Sequence, residues 1–293
     1  MRAPLQRALE QDLGESVVES RLLGGGDINE AYEVRLASGC SVFIKTNAPE
    51  LSEMFETEAR GLGWLGEARA LRVPEVIAVG GGEGRPAYLA LEYLRPGRPQ
   101  ADFDVELGRG LARLHRFGAP AFGLDHDNYI GRLPQTNRVA GTGAARSWAD
   151  FYRERRLEAQ LRLAEQRGLA TPSMIRGFAR LFEKLETLVG PAEPPARLHG
   201  DLWGGNLHTD EAGGPCLIDP AVYGGHREVD LAMMRLFGGF GPRVFEAYRE
   251  AYPLAEGHED RVFLYQLYPL MVHVNHFGGG YVRSVEGALA RYV

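Results

Sequence analysis

The sequence predicts an α+β protein of two lobes, a strand-rich N-terminal lobe over residues 1–93 and a helical C-terminal lobe over 94–293. Three observations predict it. Short apolar runs separated by glycine turns fill the first 93 residues, helical periodicity dominates the 200 that follow, and Leu94-Arg95-Pro96-Gly97 reads as a connector. Two such lobes imply a cleft, where small ligands bind.

Residues 5–13 read as a short leading helix. Strand character follows at 16–23, 31–36 and 40–46, with turns at the glycines of 24–26 and at Ser38-Gly39. Leu51, Phe55, Ala59, Leu62 and Leu65 recur at helical spacing within 50–68. Strands are expected at 75–79 and 87–93, and a helix at 103–117. Ser147 and Asp150 have capping-box spacing at the start of a long amphipathic helix that ends by Gly168. Thr171-Pro172 opens another helix, closed near Gly190. Further helices are expected at 227–237, 242–251 and 259–276, and Phe263, Tyr265 and Tyr268 read as helix core.

Composition narrows the function classes. The chain of 293 residues is 44% apolar and 25% charged, an ordinary globular balance. A net charge of −6 argues against nucleic-acid or anionic-membrane binding. Cys40 and Cys216 make no disulfide framework and suit a reducing compartment. The N-terminus lacks a signal-peptide apolar stretch, and no run reaches the roughly 20 apolar residues of a membrane helix, so cytoplasm is the expected location. Of 33 basic residues only Lys45 and Lys184 are lysines.

The densest chemistry lies in Arg197-Leu198-His199-Gly200-Asp201-Leu202-Trp203-Gly204-Gly205-Asn206-Leu207 and in Leu217-Ile218-Asp219-Pro220, separated by the polar turn 209–214. A loop and hairpin are expected there, presenting Asp201, Asn206 and Asp219 on one side. Phosphoryl transfer needs an oriented acceptor hydroxyl, a proton acceptor and oxygen ligands for magnesium on the ATP phosphates. Asp201, Asn206 and Asp219 are those residue types, and D-x-x-x-x-N is the kinase catalytic-loop spacing. Asp and Asn beside glycine are also common turn formers; it is the joint pattern that points to catalysis. His199 is read as orienting the loop through hydrogen bonds.

The front lobe should grip the nucleotide. Lys45 ends the strand Ser41-Val42-Phe43-Ile44 and suits the ATP phosphates. Glu58 is favoured over Glu56 to hold it, whereas Lys184 reads as solvated surface. Gly25 and Gly26, within Gly24–Asn29, could cover phosphates with backbone N–H groups. The segment is no dinucleotide fingerprint, and no Walker motif exists. Backbone groups of Glu92, Tyr93 and Leu94 are placed at the adenine edge. His273 and His276 lack the H-E-x-x-H metal pattern and read as packing or pocket residues, and no G-x-S-x-G elbow is present.

At this point the sequence resembles the fructosamine 3-kinase, or ketosamine kinase, family. His199–Asn206 looks like its catalytic loop. The wider aminoglycoside and choline kinase group shares H-G-D-x-x-x-x-N, and Trp203 narrows the likeness to the ketosamine branch. Further matches include Phe122-Gly123-Leu124, Gly131-Arg132-Leu133-Pro134-Gln135, Phe151-Tyr152, Tyr223-Gly224-Gly225-His226 and the stretch from Asn275 to Tyr281.

The resemblance implies a protein-kinase-like fold. It implies Asp201 as catalytic base, Asn206 and Asp219 as Mg2+ ligands, and Lys45 on the ATP phosphates. Trp203 would pack on the sugar or its amine or else anchor the loop, His276 would serve at the substrate, and Asp230 would brace the loop. The implied reaction phosphorylates the 3-hydroxyl of a fructosyl- or ribulosyl-amine, free or on a protein. The 3-phosphate then breaks down and frees the amine, a deglycation repair. Another small-molecule kinase of the same fold, or a non-catalytic nucleotide-binding protein, are the alternatives. Some family members carry a redox-linked cysteine in the glycine-rich loop; residues 24–29 contain none.

Overall fold

The structure is a computed structural model that describes residues 1–24, 29–82, 84–138 and 147–293. Gly25 and Gly26 lie outside the described residues. The chain divides into two compact units, Met1–Phe103 with His208–Asp219, and Asp104–Leu207 with Pro220–Val293. The division is not a single cut, because residues 208–219 return to the first unit.

In the first unit, α1 (Ala3–Leu13) buries Leu5, Ala8 and Leu9, an i, i+3, i+4 stripe. It closes at Gly14 in the left-handed conformation, φ 71°. The strands β1 (Val17–Leu23), β2 (Glu30–Leu36), β3 (Ser41–Asn47), β4 (Val76–Gly80) and β5 (Ala87–Glu92) form one antiparallel sheet in the order β1-β2-β3-β5-β4. Strand alternation assigns its two faces. Val34, Ile44, Tyr88 and Ala90 pack with Leu5 and Leu9 of α1. The opposite set, Ala87, Leu89 and Leu91, packs with Phe55 and Leu62 of α2 (Ser52–Glu67). Lys45, paired with Leu89 in the β3–β5 register, therefore stands on the α2 side.

The second unit is helical. It contains α3 (Phe103–Phe117), α4 (Trp148–Phe151), α5 (Glu158–Gln166), α6 (Pro172–Leu188), α7 (Glu228–Phe237), α8 (Pro242–Ala251), α9 (His258–Phe277) and α10 (Val282–Leu289). Two expected caps form: Ser147 Oγ accepts from the Asp150 N–H at 3.1 Å, and Thr171 Oγ1 from Met174 at 3.1 Å. A π-helical turn, Tyr152–Leu157, interrupts the helix expected between Ser147 and Gly168. The core gathers Phe151, Tyr152, Phe178, Tyr265, Tyr268 and Met271 among others, so Tyr265 and Tyr268 of α9 are interior, whereas Phe263 packs against that core only partly buried.

Three short strand pairs among the described residues carry what the helices do not. In the second unit β6 (Asn128–Ile130) pairs with β7 (Leu133–Gln135), and β8 (Ala196–Leu198) with β11 (Tyr223–Gly225), both antiparallel. β9 (Leu207–Thr209) and β10 (Pro215–Leu217) form a further two-stranded sheet around the 210–214 turn. Among the described residues no helix is long and apolar enough to cross a membrane.

Candidate active site

Within the first unit, Lys45 is 6% exposed, so its charge needs compensation. Its Nζ lies 2.6 Å from Glu58 Oε1 and 2.6 Å from Asp219 Oδ1. Glu58 reaches it because α2 turns Phe55, Glu58 and Leu62 toward the sheet, while Glu56, two residues back, is exposed. Burial alone would lower the lysine pKa; the Asp219 and Glu58 carboxylates outweigh it and hold the ammonium charged. Burial pushes the Glu58 carboxyl up, and the attraction of Lys45 does not fully reverse this. Asp219 has φ 54°, one of two non-glycine residues with positive φ among the described residues.

A second network in this unit was not foreseen. Arg72 donates to Glu92 Oε1 at 2.5 Å and to Asp210 Oδ2 at 2.6 Å. The Arg72 carbonyl accepts from the Leu217 N–H at 2.9 Å. One guanidinium thus ties the end of β5 to the hairpin that leads to Asp219. The Glu92 N–H is itself committed to the Glu75 carbonyl at 2.8 Å. Nothing local marks Arg72, whose partners lie 20 and 138 residues away in sequence.

In the second unit, the 199–206 loop hangs from the β8–β11 pair. Asp230 on α7 is fully buried. Its Oδ2 accepts from the His199 N–H at 2.8 Å and from His115 Nε2 at 3.1 Å, and its Oδ1 accepts from the Gly200 N–H at 2.9 Å. Burial by itself raises this carboxyl, but the His115 hydrogen bond and the other donors leave it below the usual carboxylate range. The loop brace expected of Asp230 is therefore made through two backbone amides next to Asp201. Gly200 has φ 83°, and a Cβ there would sit 2.0 Å from the Ala221 carbonyl oxygen, so no larger residue fits.

Asp201 is half-buried. Its N–H donates to His199 Nδ1 at 3.3 Å, which suits the orienting role read for that histidine. Asn206 Nδ2 donates to the Asp201 carbonyl at 2.8 Å and to Asp201 Oδ2 at 3.2 Å. The amide is thereby oriented, with its oxygen on the side away from Asp201. Trp203 is 42% exposed, so it is not a buried anchor. His276 Nε2 lies 3.2 Å from the Ile130 carbonyl, and its ring faces Phe277 with centroids 5.6 Å apart. Burial lowers its pKa.

Among the described residues no three or more His, Cys, Asp or Glu gather as a metal cluster. Magnesium does not require one, since one or two protein oxygens and the phosphates suffice. An oriented amide oxygen at Asn206 and a carboxylate at Asp219 are hard donors of that kind. Cys40 and Cys216 are both free thiols, and burial pushes Cys216 up to about 12.

Comparison with known proteins places this constellation. The fructosamine kinase family model matches residues 1–293. The chain belongs to the fructosamine kinase family. Among its kinase relatives, a probable ketoamine kinase of Synechocystis sp. is 40% identical over 276 residues, covering 93% of this chain and 90% of that one. The chloroplastic protein-ribulosamine 3-kinase of Arabidopsis thaliana is 36% identical over 281 residues, 92% of this chain and 81% of that one. The crystal structure of a candidate fructosamine-3-kinase from Thermobifida fusca superposes with a TM-score of 0.87 at 38% identity, covering 98% of each chain. An aminoglycoside phosphotransferase at 17% identity and a TM-score of 0.68, with 99% of each chain covered, shares the protein-kinase-like fold of this fructosamine kinase family member.

Proposed function

We propose that the chain is an ATP-dependent kinase that phosphorylates the 3-hydroxyl of ketosamines, fructosyl- or ribulosyl-amines, as a deglycation repair step. The observation that carries this reading is the 199–206 loop. Its backbone is held by Asp230 and its Asp201 is oriented by Asn206, in a chain that matches a kinase family from end to end. The names of the relatives, ketoamine kinase and protein-ribulosamine 3-kinase, support the acceptor class.

In this reading Asp201 accepts the proton of the acceptor hydroxyl as its oxygen bonds to the γ-phosphorus and the bond to ADP breaks. Asn206 and Asp219 would hold the magnesium. Magnesium, when bound, spreads the charge of the phosphates. Lys45, fixed by Glu58, grips the phosphates as a point charge, and Gly25 and Gly26 add backbone N–H groups. Tyr93 and Leu94 lie just past the end of β5 and meet the adenine edge with main-chain polar groups, beside a Glu92 held by Arg72. Trp203 offers an exposed ring to the sugar or its amine, with His276 also on the acceptor. A cytoplasmic setting, where ATP is available, belongs to the same proposal.

The test is coupled ADP release over a panel of ribulosyl-, erythrulosyl- and fructosyl-amines, with an aminoglycoside and choline as competitors for the assignment. Turnover confined to ketosamines is the expected result. Turnover of an aminoglycoside or choline with no ketosamine accepted would replace this function by another on the same fold.

A further inference from the structure

The Gly131–Gln135 motif has no role in the phosphoryl-transfer chemistry described above, yet its last residue occupies a singular place. Gln135, at the end of β7, is 2% exposed, and both faces of its carboxamide are spent. Its Nε2 donates to Asn128 Oδ1 at 2.8 Å and to the Ala221 carbonyl at 3.1 Å, and its Oε1 accepts from the Tyr268 hydroxyl at 2.6 Å. Asn128 in turn donates to the Val222 carbonyl at 2.9 Å. Asn137 donates to Asn128 Oδ1 at 2.7 Å and accepts from Arg156 Nη2 at 2.6 Å.

Arg156 sits in the π-turn, fully buried. Its guanidinium lies 3.8 Å from the centre of the Tyr223 ring, on the strand that follows Val222. Such a buried amide network has one low-energy arrangement, because a flip of Gln135 would set its Oε1 against two acceptors, Asn128 Oδ1 and the Ala221 carbonyl. Here that arrangement terminates on two successive carbonyls, Ala221 and Val222. The Ala221 N–H donates to the His199 carbonyl at 2.9 Å, and its carbonyl lies against Gly200. Asp230 holds the loop from one side through two N–H groups; the Gln135 network backs the strand segment that holds it from the other.

We propose that Gln135 is a positioning residue for the kinase reaction, acting through the Ala221–Val222 backbone on the placement of Asp201. This rests on the kinase reading above, but it assigns a residue that never touches substrate. A misplacement of about 1 Å at the reacting groups lowers turnover by about 10²-fold. Gln135→Met keeps length and loses every polar contact, so kcat falls by about 10²-fold while KM for ATP and for the ketosamine stays at the wild-type value. Gln135→Glu, while ionised, still accepts from Tyr268 but donates nothing to Ala221, and at a pH that ionises it kcat stays as low as in Gln135→Met. Tyr268→Phe removes one hydroxyl from the hub and gives a smaller fall in kcat, and the two changes combine non-additively.

Unchanged kcat in folded Gln135→Met, or a loss confined to KM or to melting temperature, overturns the proposal. Should that variant not fold, Tyr268→Phe decides: a fall in kcat alone supports it, and wild-type kcat sinks it. A wild-type protein that turns over no ketosamine defeats the functional reading instead. Amide exchange across residues 197–202 then judges the network on its own, with faster exchange in the Tyr268→Phe and Gln135→Met proteins expected and unchanged exchange refuting it.

Discussion

Replacing Asp230 by asparagine tests how the loop that carries Asp201 is held. The carboxylate is fully buried and takes three hydrogen bonds, two on Oδ2 and one on Oδ1. An asparagine of the same shape best keeps its oxygen where two donors converge, at His199 N and His115 Nε2. Its amide nitrogen then faces the Gly200 N–H, donor against donor. The change removes one charge-assisted hydrogen bond, about 1.5–3 kcal/mol, and strands a buried N–H, about 1–3 kcal/mol. Together these give about 2.5–6 kcal/mol, a span that brackets the about 3–5 kcal/mol for breaking a buried charged network.

The damage is local, at the residue immediately before Asp201, so kcat should fall with it. Urea unfolding followed by tryptophan fluorescence gives the stability change as a lower midpoint at constant slope. Amide exchange of the peptide containing Gly200 gives its location. A loss under about 0.5 kcal/mol, the level of an ordinary surface substitution, would refute the reasoning, as would exchange at Gly200 as slow as in the wild type.

Two further perturbations follow from the same geometry. Lys45→Met leaves Glu58 and Asp219 without the cation they share, and removes one phosphate contact; kcat in the coupled ADP assay should fall by about 10²–10³-fold, and a fall of less than tenfold would contradict the role given to Lys45. His226 is buried against Tyr265, and burial lowers its pKa to about 4. The unfolded chain therefore takes up its proton first as pH falls from about 6.5 to about 4, and stability drops across that window by up to about 3 kcal/mol. His226→Phe keeps the ring stack and should flatten that slope in denaturant titrations repeated between pH 7 and 4; an unchanged slope would show that His226 is not its source.

Local signals made most of the fold legible. The α1 stripe, the Ser147 and Thr171 caps and the glycine that closes α1 are each written within a few residues of where they act. Three-residue strands such as β6, β7, β8 and β11 are too short to show alternation, and α10 begins without a side-chain cap, so neither announces itself. The π-turn at Tyr152–Leu157 has no periodicity of its own either, because it answers to the burial of Arg156 among distant rings.

The same division runs through the site. Asp201 and Asn206 meet within one loop, and a residue facing the sheet from the next helix was a local choice between Glu56 and Glu58. Arg72 reaches partners 20 and 138 residues away, His115 reaches Asp230 115 residues on, and Gln135 reaches Ala221 and Tyr268, 86 and 133 residues on; only the folded chain pairs them.

The most direct test of the whole account is a single comparison: phosphorylation of a ribulosyl-amine by the wild type and by Asp201→Asn, with ATP and magnesium present and the product position read by phosphorus NMR. The account requires ADP release that depends on the ketosamine, phosphate on the sugar 3-hydroxyl, and loss of both in a variant whose circular dichroism matches the wild type. Phosphate at another position, or full turnover by Asp201→Asn, would contradict it.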